Sequence, residues 1–484
     1  MLFNSFQFLI FFPVVVTVFF ALPDRWRNVF LLIASYYFYM CWRPAYIIVI
    51  WFITILDYWA AMMIEDADND RARRLFLGLS IVGNFGLLFV FKYFNLFGGS
   101  LNAAMHPLRL FGDIPVLHLM LPIGLSFHTF QAVSYTIEVY RRRVPAERNL
   151  LHYALYVAFF PQMVAGPIER PYHLLPQFKE RKRIEFQAVR YGLELAMWGF
   201  FKKVVVADRI AAMVNTVYQS PKNFSGPILT LATIFFAIQI YCDFSGYSDI
   251  AIGCARILGF DLMTNFRQPY FAQSIEEFWH RWHISLSTWF RDYLYIPLGG
   301  NRVSDARWCV NIFVVFTVSG LWHGANWTFV AWGALHGVFY LAGSATSQTR
   351  ESIARTLGDS KMPLLRQARR ILFTFGLTTI AWVFFRANSL GDAIYVLTHF
   401  FRRGNFRLAD LNLVTIGLDR SDLLIAAVMI GVVALVDWQL ANADGVARKL
   451  WNVKPLRWSL YYACIYSIVF FGVFEHLEFI YFRF

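Results

Sequence analysis

The sequence predicts an all-α polytopic membrane protein, with about 11–13 transmembrane or re-entrant helices. Two observations lead there. Apolar and aromatic residues make up 58% of the 484-residue chain and the mean hydropathy is positive, well above the roughly 45–50% apolar content of soluble domains. The 51 Phe, 24 Tyr and 16 Trp exceed what a soluble core buries, whereas lipid and headgroup belts solvate such rings.

Apolar runs fall at 6–22, 28–41, 44–64, 75–97, 116–139, 151–168, 190–206, 228–242, 308–342, 371–386, 422–440 and 458–480. The first lacks a basic leader and a small-residue cleavage site, so it reads as a retained span. Several of the others are too short to cross a bilayer or are broken. LPIGLSF holds Pro122 and Gly124, and FFPQMVAGPIER holds Pro161, Gly166 and Pro167. Broken helices survive at membrane depth only when buried in protein or lining a wet cavity. The five cysteines are scattered singly and read as small hydrophobes. With no repeat, low-complexity tract or linker in view, 1–484 reads as a single membrane domain.

The charged residues are 15% of the chain, yet the net charge is +13. No soluble basic domain exists to hold nucleic acid, so the excess reads as loop Lys and Arg. Arg25 and Arg27, then Arg71, Arg73 and Arg74, then Arg141, Arg142, Arg143 and Arg148 follow alternate spans. Placing those loops in the cytoplasm puts the N-terminus outside. Later loops are all basic, so the alternation fails there. The run KERKRIEF (179–186) reads as an amphipathic stretch lying on the inner leaflet through its charges, with docking of an acidic carrier as the alternative.

Three polar stretches interrupt the hydrocarbon. YCDFSGYSDIAIG (241–253) sets Tyr241, Asp243, Ser245 and Asp249 at the end of an apolar run. It reads as a polar turn that lines a cavity or lies at the membrane surface. EEFWHRWHISLSTWFRDYLYIPLGGNR (276–302) has helical spacing before Pro297. On one helix Glu276, His280 and His283 would share a face, with Trp279, Trp282 and Trp289 on an interfacial face beside it. Arg281 pairs or snorkels on such a helix. Glu277 and His280 match a Glu-x-x-His metal motif, but no second copy exists, and no metal site is predicted. SGLWHGANW (319–327) sets Trp322 and His323 among small residues that let a substrate or backbone approach, and Asn326 is placed to orient an imidazole or donate to an oxyanion. His336, in WGALHGVF, reads as a core residue. Gly358-Asp359-Ser360 resembles an esterase block, but sits in a basic loop and is discounted. No GxSxG elbow, P-loop or HExxH helix is present.

Together FFPQMVAGPIERP, YCDFSGYSDIAIG, FWHRWHISLSTWFRDYLYIPLGGNR, GLWHGANWTFVAWGALHG and the terminal FIYFRF resemble the membrane-bound O-acyltransferase superfamily. The likeness is to its bacterial polysaccharide O-acetylation branch, of the alginate and cellulose type, and it covers nearly the whole chain. Val303-Ser304-Asp305 and Leu335 depart conservatively from the pattern. The resemblance implies a helical fold around a central funnel or tunnel, with a catalytic core over 116–342 and with 343–484 completing the bundle. It implies His323 as the essential residue and His283 as the second active-site histidine, in a tunnel that Trp322, Asn326, Arg281, Trp282, Tyr241, Asp243, Ser245 and Asp249 support.

A histidine near pKa 6.5 is suited to take a hydroxyl proton during acyl transfer. The resemblance further implies no bound cofactor and a cytoplasmic acyl thioester donor, acetyl-CoA or a carrier-bound acyl group. The expected partners are membrane lipids, periplasmic acetyltransferases and the exopolysaccharide synthesis machinery, and the expected location is the bacterial inner membrane. A transporter that moves an acyl group or polymer without making bonds, and an enzyme acylating a protein or lipid, are the competing readings.

Overall fold

Apolar runs that must satisfy every backbone group internally become helices, and a computed structural model shows this outcome. It describes residues 1–106, 114–164, 166–349, 352, 362–402, 417–441, 453–474 and 480. Among them there is no strand. Five helical stretches, Pro44–Asp66, Asp70–Met105, Gly226–Ile257, Pro363–Arg386 and Arg420–Ala441, are long and apolar enough to cross a membrane. The chain is an all-α, multi-pass membrane protein. It divides into two compact units, residues 1–196 with 247–263, and residues 197–246 with 264–484.

In the first unit the Leu125–Tyr140 helix is buried on nearly every side and packs against the Ile47–Asp66 and Asp70–Leu88 helices. A polar knot ties these three together. Asp57 accepts from Ser80 Oγ and from Asn84 Nδ2, and Ser80 shares a 2.9 Å hydrogen bond with Thr136. The broken segment predicted around Pro161 is present and buried. The Leu150–Ala158 helix stops at Phe159, a single turn covers Phe160–Met163, and irregular buried backbone leads to Arg170.

In the KERKRIEF run helix begins only at Phe186, and 181–185 has no regular structure. Specific contacts hold the run in place. The Lys182 carbonyl accepts from the Arg27 guanidinium at 2.7 Å, the Arg181 guanidinium pairs with Asp24 at 2.7 Å, and the Lys182 ammonium lies over the Phe260 ring. The cysteines are unbridged. Cys242 and Cys254 are buried as expected, but Cys41 is exposed.

Where the broken segment ends, Glu169 is wholly buried. It accepts from the Met263 amide at 2.6 Å and pairs with His173 Nδ1 at 2.8 Å, while His173 Nε2 lies 3.7 Å from Asp261. Burial raises the Glu169 carboxyl, and the hydrogen bond with Glu169 raises the His173 imidazole. Both groups hold protons more tightly folded than unfolded, so this clip stabilises at low pH and weakens as pH climbs through the raised values. Hydrogen exchange of the Met263 amide, corrected for intrinsic rate, is expected to quicken as pH rises above the ordinary histidine value of about 6.5 and to lose that dependence in His173→Gln. Protection that stays flat in the unaltered protein would contradict this.

Candidate active site

His283 and His323 both lie in the second unit, and each is placed by a local backbone device. The expected single helix over 276–290 is two helices. Ser274 accepts from the Glu277 amide and starts Ile275–Arg281; the chain then turns at Trp282 and His283, and Ile284–Phe290 follows. His283 has φ 43° and ψ 54°, a left-handed conformation that costs a non-glycine residue about 1–3 kcal/mol. Neighbouring chain takes up the backbone groups that the break releases. Arg267 N–H donates to the Arg281 carbonyl at 3.0 Å, Ile284 N–H donates to the Asn265 carbonyl at 2.9 Å, and Ser285 Oγ donates to Asn265 Oδ1 at 2.6 Å.

The kink separates residues that a continuous helix would align. His283 is fully buried, 4.6 Å edge-on to the Phe244 ring, whereas Glu276 and His280 are exposed. Glu277 accepts from Arg281 at 2.6 Å and from the Gln273 amide at 2.7 Å. Arg281 thus secures the end of the first short helix. Trp279, Trp282 and Trp289 are buried, not arrayed on an interfacial face, because the break turns them into protein.

The apolar run 308–342 is a helical hairpin, Asp305–His323 and Trp327–Ala345. Its two arms touch through glycine. A Cβ on Gly320 would meet the Phe329 carbonyl at 2.3 Å, and one on Gly333 would meet the Phe316 carbonyl at 2.3 Å. Small residues allow such close helix contact in membranes. The contact sets His323, the last helical residue, between rings: Trp322 at 5.0 Å, Trp332 at 5.0 Å and Phe385 at 5.5 Å. Asn326 caps the second arm instead of facing the imidazole. Its Oδ1 accepts from the Thr328 amide at 3.0 Å and its Nδ2 donates to the Asn388 carbonyl at 3.2 Å.

The two imidazoles stand 6.2 Å apart, centre to centre, and Trp322 is 6.2 Å from His283. At that separation both imidazoles can face one ligand seated alongside them, and each has a nitrogen able to take or hold a proton. His336 is buried too, and its Nδ1 accepts from the Trp279 indole at 3.3 Å.

The stretch 241–253 is not a turn. It lies within an unbroken helix, Gly226–Ile257. Its polar residues are satisfied at depth by two lysines that sequence reasoning missed. A π-helical turn over Phe201–Ala207 buries successive residues, Lys202 and Lys203. Lys202 donates to Ser245 at 2.9 Å; Lys203 bridges Asp243 at 2.7 Å and Asp208 at 2.8 Å. Asp243 also accepts from the Ile480 amide at 2.8 Å. Ile480 is the one described residue of the FIYFRF motif; the rest of that motif and Gly358-Asp359-Ser360 lie outside the described residues. Tyr241 donates to Asp437 at 2.7 Å. Gly246 supplies close approach and no bend, since a Cβ there would meet the Gly199 carbonyl at 2.7 Å. Asp249 belongs to the first unit, with Tyr247, whose hydroxyl accepts from the Phe3 amide at 3.4 Å. The adjacent lysines inside the run 190–206 were the available signal for this network.

A family model described as MBOAT, membrane-bound O-acyltransferase family, matches residues 88–384. The chain belongs to the membrane-bound O-acyltransferase family. Membership makes it an acyltransferase and sets aside a transporter without bond-making chemistry. A Pseudomonas aeruginosa protein described as probable alginate O-acetylase AlgI is 41% identical over 416 residues, covering 85% of this chain and 77% of that one. The Pseudomonas putida protein of the same description is 37% identical over 503 residues, covering both chains completely. A Helicobacter pylori peptidoglycan O-acetyltransferase is 35% identical over 401 residues, covering 78% of this chain and 73% of that one. In this acyltransferase the matched region includes the paired histidines and the buried lysines.

Removing one partner of a buried ion pair leaves an uncompensated charge, at a cost of about 3–5 kcal/mol. Lys203→Met strands Asp208 and Asp243 together, so it is expected to lower stability by about that amount in denaturant titrations of the detergent-solubilised protein. Wild-type stability would contradict the network's importance.

Proposed function

We propose that this acyltransferase takes an acetyl group from a cytoplasmic acyl thioester, such as acetyl-CoA, and passes it across the bacterial inner membrane for O-acetylation of an exopolysaccharide. The 6.2 Å pairing of buried His283 and His323 is the observation that carries the chemistry. His323 takes the acceptor's proton, and His283 orients the acceptor or steadies developing charge. General-base action contributes roughly 100- to 10,000-fold, and positioning between the hairpin and the kink contributes much of the remainder.

The printed names of the relatives favour a polymer acceptor, alginate O-acetylase in one group and peptidoglycan O-acetyltransferase in another. An alginate- or cellulose-type exopolysaccharide fits this reading, with periplasmic acetyltransferases completing the transfer. Among proteins so named, identities of 37–41% over 416 residues or more favour alginate over peptidoglycan. The basic clusters after alternate early spans support an N-terminus on the periplasmic side.

His323→Ala is expected to abolish polymer O-acetylation while membrane abundance stays unchanged, as read by acetyl release from isolated polymer alongside immunoblotting. Acetylation at the wild-type level would reject the assignment. For orientation, a reporter active only in the periplasm is expected to report when placed after Trp42 and to stay silent after Arg71. The reverse pattern would invert the topology.

A further inference from the structure

Beside the two histidines, four buried donors have no acceptor among the described residues: the indole N–H groups of Trp282, Trp332 and Trp382, and Nε2 of His336. The His336 assignment follows from its other nitrogen. An indole only donates, so Nδ1 is the acceptor of the Trp279 hydrogen bond and the neutral ring carries its proton on Nε2. Each of the four side chains is at most 1% exposed.

Their rings are contiguous. Trp332 lies 5.0 Å from His336, 5.0 Å from His323 and 5.5 Å from Trp382, which lies 5.0 Å from Trp282. Trp282 precedes His283 directly in sequence. Buried tryptophan N–H groups normally find a partner, and an orphaned donor loses free energy. Four orphans in one cluster that reaches both histidines form a site whose acceptor arrives with a ligand. All four donors are neutral and their walls are aromatic, so the acceptor they fit is a small oxygen that carries no permanent charge and gains negative charge only in passing.

We infer that the Trp332 and Trp382 indoles, whose rings stack 5.5 Å apart, bind the carbonyl oxygen of the acyl group in transfer, an inference that rests on the acyl-transfer function proposed above. The acceptor hydroxyl oxygen bonds to the thioester carbonyl carbon, and its proton passes to His323. Negative charge gathers on the carbonyl oxygen, where neutral N–H donors stabilise it. Collapse breaks the C–S bond, and the sulfur leaves with the proton that His323 returns.

The test uses full-length protein in nanodiscs, with acetyl-CoA as the probe and acetyl transfer to oligosaccharide as the readout. Trp332→Phe and Trp382→Phe keep an aromatic ring and remove the N–H. Because either can disturb packing, a second Trp332 variant carries benzothienylalanine, which keeps the indole shape with sulfur in place of the N–H. Losing one oxyanion donor costs on the order of 100-fold in turnover. The expected result is a kcat loss of that order in Trp332→Phe and the isostere, with the acetyl-CoA KM and the melting temperature little changed. Wild-type kcat in both Trp332 variants, beside an inactive His323→Ala control, overturns the carbonyl subsite alone. An active His323→Ala control overturns the acyl-transfer reading on which it rests.

Discussion

The left-handed backbone at His283 is the constraint on which the rest of the site depends. It is an unfavourable conformation for a residue with a side chain, and it exists because the 265–267 segment pairs with both sides of the break. Straightening the chain into one helix would restore a regular ladder of hydrogen bonds, but it would align His283 with exposed Glu276 and His280. The kink instead turns the imidazole against Phe244 and within 6.2 Å of His323. Local strain is exchanged for the placement of one buried imidazole beside another.

His323 depends on a matching device of a different kind. Glycines on both arms of the hairpin let the Asp305–His323 and Trp327–Ala345 helices meet backbone to backbone, which sets the histidine at the tip among tryptophans. Asn326 closes the turn by capping the second arm. Behind this pair, Lys202 and Lys203 neutralise polar groups on the Gly226–Ile257 helix, and the same helix carries Phe244 to His283. The polar island in the sequence is therefore supported from several directions, with its charges paired and its histidines packed against rings.

The helical membrane class was legible because apolar runs, aromatic content and basic loops are additive signals that local context cannot cancel. His323 stands out by composition in FVVFTVSGLWHG, but a lone histidine in such a run is as readily a packed core residue, and the roles assigned to His323 and His283 come from the family resemblance. What escaped were features set by tertiary contact. Periodicity over 276–290 is helical on both sides of His283, and only pairing with Asn265 and Arg267 breaks it. The DFSGYSD stretch looked like a turn because its polar residues seemed too costly for a helix interior; Lys202 and Lys203, about forty residues earlier, remove that cost.

The central claim is that the two histidines face the reacting carbon. Cryo-electron microscopy of the full-length protein with a non-hydrolysable acetyl-CoA ketone analogue tests it most directly. The predicted result is the analogue's carbonyl carbon alongside the His283–His323 pair, within about 3–3.5 Å of a nucleophile position facing His323. An analogue seated with its acyl end away from this pair, while His323 remains packed on Trp332, would contradict it.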